Sequence, residues 1–158
     1  MPSIAYLVSR DMLPGAPDLR VDAWELDHQL AALGPACAAR DLQLAVRVWD
    51  DPAWDVRAHD AVVIGTTWDY AKSPDRFLQR LEAMASARPL FNPAASVRWN
   101  LNKTYLRELA EAGVPSIPTL WVDAATPARL VSAFDALQTD EIVAKPVVGA
   151  GAWRQARL

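Results

Sequence analysis

The chain has 158 residues, of which 52% are hydrophobic and 22% are charged. This length and composition are typical of a soluble globular protein with one good core and part of a second, and they argue against disorder. The formal net charge is −3 and no run of like charges occurs. The chain therefore lacks the basic surface that nucleic-acid binding requires.

Cysteine and histidine are scarce in this sequence. Cys37 has no second cysteine with which to form a disulfide, and His28 and His59 form no cluster with the spacing of a metal site. We expect a reducing, cytoplasmic environment. No apolar run reaches the 18 residues of a membrane span, and the N-terminus does not resemble a leader segment. We therefore expect neither export nor membrane association.

Apolar segments of strand length recur along the chain. Several are continuously apolar rather than alternating, as in strands that are covered on both faces of a parallel sheet. The predicted strands are residues 4–8, 44–49, 61–64, 89–91 and 142–148, with a weaker candidate at 119–122.

Helical periodicity occupies the segments between these strands. The first predicted helix has apolar residues at positions 26, 30, 33 and 37, and we expect Gly34 and Pro35 to kink or divide it. The second starts near Pro74, after the capping candidate Ser73, with apolar residues at 77, 78, 81 and 84. A third begins at residue 100 or 102 and ends at Gly113, and a fourth spans about 127–137.

The alternation of strands and helices predicts an α/β fold. Crossover units and a mostly parallel, doubly wound, Rossmann-like sheet should form a domain over residues 1–95. After residue 93 the order changes to helix, short strand, helix and strand. We therefore expect a second domain over residues 96–158.

Lys103 lies where the first turn of the third helix is predicted. The helix dipole disfavours a cation there, and a bound phosphate would make use of both the lysine and the unbonded amides of the turn. The alternative is an exposed, solvated lysine.

Lys145 interrupts an otherwise apolar predicted strand. Pro146 biases it towards an extended conformation, and lysine is rarely buried without a partner. Gly149 and Gly151 follow, where the backbone could approach a ligand and direct N–H groups at phosphate oxygens. The alternative is an edge-strand lysine followed by a flexible turn.

The two lysine segments resemble a known family. The order N-x-N-K-x-x-L, G-V-P-x-x-P-T and I-V-A-K-P-V-V-G-A-G is similar to the start of the ATP-grasp domain in the glutathione synthetase-like superfamily. In that family both lysines contact the nucleotide phosphates, and a glycine-rich flap follows the second. The resemblance implies phosphate contacts for Lys103 and Lys145, a flap that starts at Gly149 and Gly151, and ATP as cofactor.

Two upstream segments strengthen this resemblance. V-W-D-D-P at residues 48–52 and T-T-W-D-Y at residues 66–70 resemble the pre-ATP-grasp domain of a bacterial subgroup that includes the cycloserine-forming ligase of antibiotic biosynthesis. Trp68, Asp69 and Tyr70 would follow a central strand, at the edge where open α/β sheets bind ligands, and we hypothesise that they contact substrate. The alternative is packing by the two aromatic residues, with Asp69 capping the turn.

The resemblance also implies a reaction. Ligases of this family use ATP and Mg²⁺ to activate a carboxylate as an acyl phosphate, which an amine then attacks. Their metal ligands lie beyond the glycine-rich flap, so we expect the Mg²⁺ ligands outside this sequence and the isolated chain to be inactive. The expected partners are nucleotide and a small carboxylate or amine substrate, with a homodimer left open. The competing interpretation is a non-catalytic Rossmann-like module for small-molecule binding or association.

Overall fold

The computed structural model describes residues 1–158, which form two compact units, Met1–Trp99 and Asn100–Leu158. None of the helices is both long enough and apolar enough to cross a membrane.

A four-stranded sheet is the centre of the first unit. Its strands are β1 (Ser3–Val8), β2 (Gln43–Val48), β3 (Ala61–Ile64) and β4 (Leu90–Phe91), in the order β2-β1-β3-β4. Each neighbouring pair is parallel, and β1 pairs with both β2 and β3 along its length. The predicted α/β class and parallel sheet are confirmed.

The first unit contains α1 (Trp24–Ala38), α2 (Pro74–Ala87) and all but the last residue of α3 (Ala94–Asn100). The β1–β2 and β3–β4 crossovers carry α1 and α2 and run towards opposite edges of the sheet. Right-handed crossovers that run in opposite directions place their helices on opposite faces. The connection from β2 to β3 has no α-helix, only the 3-10 turn Val56–Ala58.

Gly34 and Pro35 were expected to kink or divide the first helix, and division is wrong, because α1 is continuous through both. Proline removes one helical donor, and here that loss falls close to the end of the helix at Ala38. The Pro35 carbonyl still accepts from the Ala39 amide at 2.9 Å. The last turn therefore closes despite the proline.

The core of the first unit follows the alternation of β1. Tyr6 and Val8 point to the face that α1 covers, whereas Ala5 and Leu7 point to the other face and are fully buried. The apolar positions predicted for the second helix are all buried in α2. They are Phe77, Leu78, Leu81 and Met84.

The second unit contains α4 (Tyr105–Glu111), α5 (Pro127–Leu137) and an antiparallel pair, β5 (Val143–Ala144) with β6 (Ala156–Arg157). The fourth helix has the predicted bounds, and the Thr126 hydroxyl accepts from the Arg129 amide at its start. The weak strand candidate at 119–122 is wrong, because no strand forms there.

Two predicted elements of the second unit are shorter than expected. The third helix does not start at residue 100 or 102, because the Asn102 side chain accepts from the Thr104 amide at 3.0 Å and holds a turn ahead of α4. The strand predicted at 142–148 ends at Ala144. Pro146 has no ladder donor, and the Val147 carbonyl bonds to Lys103 instead of to a strand.

Gly65, directly after β3, is required by the packing of Tyr6. A Cβ at position 65 would lie 2.1 Å from Tyr6 Cζ, far inside van der Waals contact. The Tyr6 ring is buried, and its hydroxyl donates to the Gln29 side chain on α1. The glycine therefore lets the ring cross the backbone at the end of β3.

We expect Gly65→Ala to lower the free energy of unfolding by about 1–3 kcal/mol, because the tyrosine ring must leave its position. Urea unfolding monitored by circular dichroism measures this. Gly34→Ala is the matched control, because nothing lies within 4 Å of its added Cβ and alanine in a helix should stabilise by about 0.5–1 kcal/mol. The loss of unfolding free energy caused by Gly65→Ala should be smaller in a Tyr6→Leu background. Equal losses in both backgrounds would contradict the explanation.

Candidate functional site

The ends of β1 and β3 form a closed junction at the carboxyl edge of the sheet. Ser9, the residue after β1, donates from its amide and its hydroxyl to the Thr66 carbonyl, at 2.9 and 3.1 Å. The connections that leave β1 and β3 run in opposite directions, so this is the topological switch point where open α/β sheets bind ligands.

The 3-10 turn Trp68–Lys72 follows this junction and contacts the end of β2. Trp49, directly after β2, donates from Nε1 to Asp69 Oδ1 at 2.6 Å. Burial raises the pKa of Asp69, and the Trp49 hydrogen bond opposes that shift. The negative charges of Asp11 and Asp50 raise the Asp69 pKa further. A carboxylate that is desolvated and beside like charges is a feature of functional sites.

Trp68 and Tyr70 both pack within the first unit. Trp68 Nε1 donates to Glu25 at the start of α1, at 3.1 Å, and its ring packs against the core cluster under α1. The Tyr70 ring stacks on Phe77 of α2, with ring centres 5.6 Å apart, and burial raises the pKa of its hydroxyl. Both aromatics thus have the packing role of the alternative interpretation, and substrate contact by Trp68, Asp69 and Tyr70 stays a prediction.

Asp11 and Thr66, two of the buried polar residues at this edge, were given no role from sequence. Asp11 follows β1 by three positions and forms an ion pair with Lys72 at 3.4 Å, and Thr66 follows β3 by two. Both side chains are buried. The available signal was their position directly after apolar strands, where side chains of a parallel sheet converge.

The structure brings together three of the predicted phosphate-binding residues, Lys103, Lys145 and Gly149. Lys103 Nζ donates to the Gly149 carbonyl at 2.8 Å, and the Lys103 amide donates to the Val147 carbonyl at the same distance. Burial lowers the pKa of Lys103, and the positive charge of Lys145 lowers it further. Lys103 lies in the turn before α4 and not in the first turn of a helix. The prediction that its amide is free to bind a phosphate is therefore wrong, because that amide bonds to Val147.

The glycine-rich segment after Lys145 has an unusual backbone. Gly151, Ala152 and Arg154 have φ angles of 57°, 56° and 53°. This left-handed region is disfavoured for residues with a Cβ, so Ala152 and Arg154 hold local strain. The Arg154 guanidinium lies 4.4 Å from the centre of the Trp153 ring. The predicted glycine-rich flap is therefore a tight, strained turn.

Comparison with known proteins identifies the family. A family model described as the N-terminal domain of D-cycloserine synthetase DcsG matches residues 4–92. The chain belongs to this family. The resemblance to the cycloserine-forming subgroup that the sequence motifs indicated is thereby confirmed.

Individual members of the DcsG family support this assignment. The cycloserine biosynthesis protein DcsG of Streptomyces lavendulae is 34% identical over 128 residues, which cover 78% of this chain and 42% of that protein. The crystal structure of D-cycloserine synthetase DcsG matches with a TM-score of 0.79 and 28% identity, over 98% of this chain and 50% of that chain. The present chain thus spans about half the length of these relatives.

We expect Asp69→Asn to stabilise the chain near neutral pH. The folded-state pKa of Asp69 is raised, so the folded state binds its proton more tightly than the unfolded state. The free energy of unfolding should then fall as pH rises from below the unfolded value, 3.8, through the folded pKa. Asparagine does not ionise, so it removes that loss of stability, and its side-chain oxygen can still accept the hydrogen bond from Trp49.

Thermal melts at about pH 7 and about pH 3 test this linkage. The difference in melting temperature between Asp69→Asn and the parent chain should be positive at the higher pH and shrink at the lower one. Asp140→Asn, at an exposed carboxylate, is the control and should show no such pattern. A difference that is the same at both pH values would contradict the raised pKa.

Proposed function

We propose that this chain is the N-terminal portion of an ATP- and Mg²⁺-dependent ligase that joins a carboxylate to an amine through an acyl phosphate. The observation that carries the proposal is the convergence of Lys103, Lys145 and Gly149 in the second unit. Membership of the DcsG family supports it.

The electrostatics of the lysine pair favour a polyanion. Burial and the nearby positive charge of Lys145 both disfavour the charged form of Lys103 and lower its pKa. Phosphate oxygens between the two ammonium groups would offset both effects and accept charge-assisted hydrogen bonds. The triphosphate of ATP is such a ligand, and phosphoryl transfer depends mainly on positioning and charge neutralisation of this kind.

The substrate side of the proposal rests on the first unit. The Streptomyces relative is named for cycloserine biosynthesis, and we propose that this chain serves the formation of cycloserine or a closely related small molecule in the cytoplasm. Trp68, Asp69 and Tyr70 would contact that substrate at the carboxyl edge of the sheet. No group of three or more His, Cys, Asp or Glu side chains is placed to hold a metal ion, so the proposal assigns the Mg²⁺ ligands to none of these residues.

We expect Lys103→Ala and Lys145→Ala each to weaken ATP binding by about tenfold or more, because each removes a charge-assisted hydrogen bond to phosphate. Titration calorimetry with ATP on the purified chain measures this. Arg129→Ala removes an exposed positive charge from α5 in the same unit and should bind ATP as the parent chain does. Melting curves of all three variants check that the second unit stays folded.

Two results would count against the ligase proposal. If ATP binding is unaffected by both lysine substitutions, the non-catalytic Rossmann-like module becomes the better interpretation. If Arg129→Ala weakens binding as much as the lysine variants do, the affinity reflects general positive charge rather than a phosphate site.

A further inference from the structure

Two buried polar atoms at the switch point have no hydrogen-bond partner among the protein's groups. They are Asp11 Oδ1 and Thr66 Oγ1, in residues that are 4% and 0% exposed. Buried polar atoms are nearly always paired, because a buried polar atom without a partner costs free energy. Both belong to the loops that leave the neighbouring strands β1 and β3. Two orphaned atoms at the edge where such sheets bind ligands point to a ligand.

The charges around these atoms indicate a cationic ligand. The carboxylates of Asp11 and Asp50 are both close enough to Asp69 to affect its titration. Lys72 Nζ lies 3.4 Å from Asp11 Oδ2 and 3.7 Å from Asp18, so an ammonium group is already accepted beside Asp11. The Lys72 side chain is 58% exposed, and ion pairs with such an exposed partner are weak and exchangeable.

The ligand that fits these observations is an organic ammonium rather than a metal ion. The carboxylates of this edge do not form a group that could hold a metal. An ammonium carries three donors, and both orphaned oxygens can accept a hydrogen bond from it. We propose that Asp11 and Thr66 bind the ammonium group of a small primary amine, which donates to Asp11 Oδ1 and Thr66 Oγ1 and displaces Lys72 from the neighbouring Asp11 Oδ2.

Entry of the amine displaces Lys72, which ends the turn Trp68–Lys72. This turn is a 3-10 helix, whose hydrogen bonds are poorer than those of an α-helix, and it carries the desolvated carboxylate of Asp69. Local openings are drawn from such weakly stabilised segments. The role of the amine as a substrate rests on the proposed ligation, whereas its binding does not involve nucleotide and can be measured separately.

Three small probes separate the contributions of charge and hydrogen bonding. Ethanolamine has an ammonium group, ethylene glycol has the same size without charge, and tetramethylammonium has charge without N–H donors. Each is titrated into the ¹⁵N-labelled chain at matched ionic strength, and the amides of Ser9, Met12 and Thr67 are followed. Ethanolamine should give saturable shifts with a Kd of roughly millimolar size, the range its few atoms allow. The other two should bind about tenfold more weakly or worse.

Four variants test the residues themselves. Asp11→Asn keeps the side-chain shape and should weaken ethanolamine binding about tenfold. Thr66→Val should also weaken it but raise the melting temperature, because a methyl group replaces a buried hydroxyl without a partner. Lys72→Met removes the internal competitor and should tighten binding. Asp18→Asn is the matched control, because Asp18 also pairs with Lys72 but is 64% exposed, and it should bind as the parent chain does.

The expected rise in melting temperature for Thr66→Val and the expected tighter ethanolamine binding of Lys72→Met distinguish a binding site from a structural ion pair. A structural role for Asp11 and Thr66 predicts that Thr66→Val lowers the melting temperature and that Lys72→Met does not tighten binding. Either result overturns the proposal, as do equal shifts with all three probes or the absence of a saturable shift with ethanolamine. Loss of amine binding with intact, lysine-dependent ATP binding would reject this site and leave the proposed ligation standing.

Discussion

The parallel pairing of β1 with both β2 and β3 is the constraint on which the first unit depends. Because all three strands run in the same direction, the residues that follow them meet at one edge. Tyr6 in β1 fills the space beside Gly65 after β3, and this contact fixes how the chain leaves that strand. The position of the Trp68–Lys72 turn is therefore set by packing in the core below it.

The carboxyl edge of the sheet contains buried polar and charged groups that a purely structural site would avoid. Asp69 is a desolvated carboxylate near two others, and Asp11 and Thr66 each bury an oxygen without a partner. Each of these features lowers the stability of the fold. Hydrogen bonds from Trp49 to Asp69 and from Trp68 to Glu25 anchor the turn that carries Asp69. Both buried oxygens without a partner lie at this edge, and such a local departure from the packing rules is typical of a binding site.

The sequence predicted the first unit well because its strands are continuous apolar segments and the buried face of α2 has a clear helical period. It failed where a single side chain overrode the local pattern. The Asn102 amide group bonds to the backbone and delays α4, and Pro146 ends β5 early. The proximity of Lys103 to Gly149 followed from the resemblance and not from periodicity. Nothing in the sequence could show that Asp11 and Thr66 lack partners, because that depends on packing between distant segments.

The two hydrogen bonds of Lys103 have different consequences for ligand binding. Its amide bonds to Val147 and its ammonium to Gly149, so one residue ties the start of α4 to the glycine-rich segment twice. In the proposed ATP complex, a phosphate that pairs with the Lys103 ammonium would compete with the Gly149 carbonyl and not with the hydrogen bond from the Lys103 amide to Val147. In that proposed complex the segment would release Gly149 and keep its attachment at Val147. Ala152 and Arg154 hold backbone strain in the same segment, so an opening that took them out of the left-handed region would be favoured.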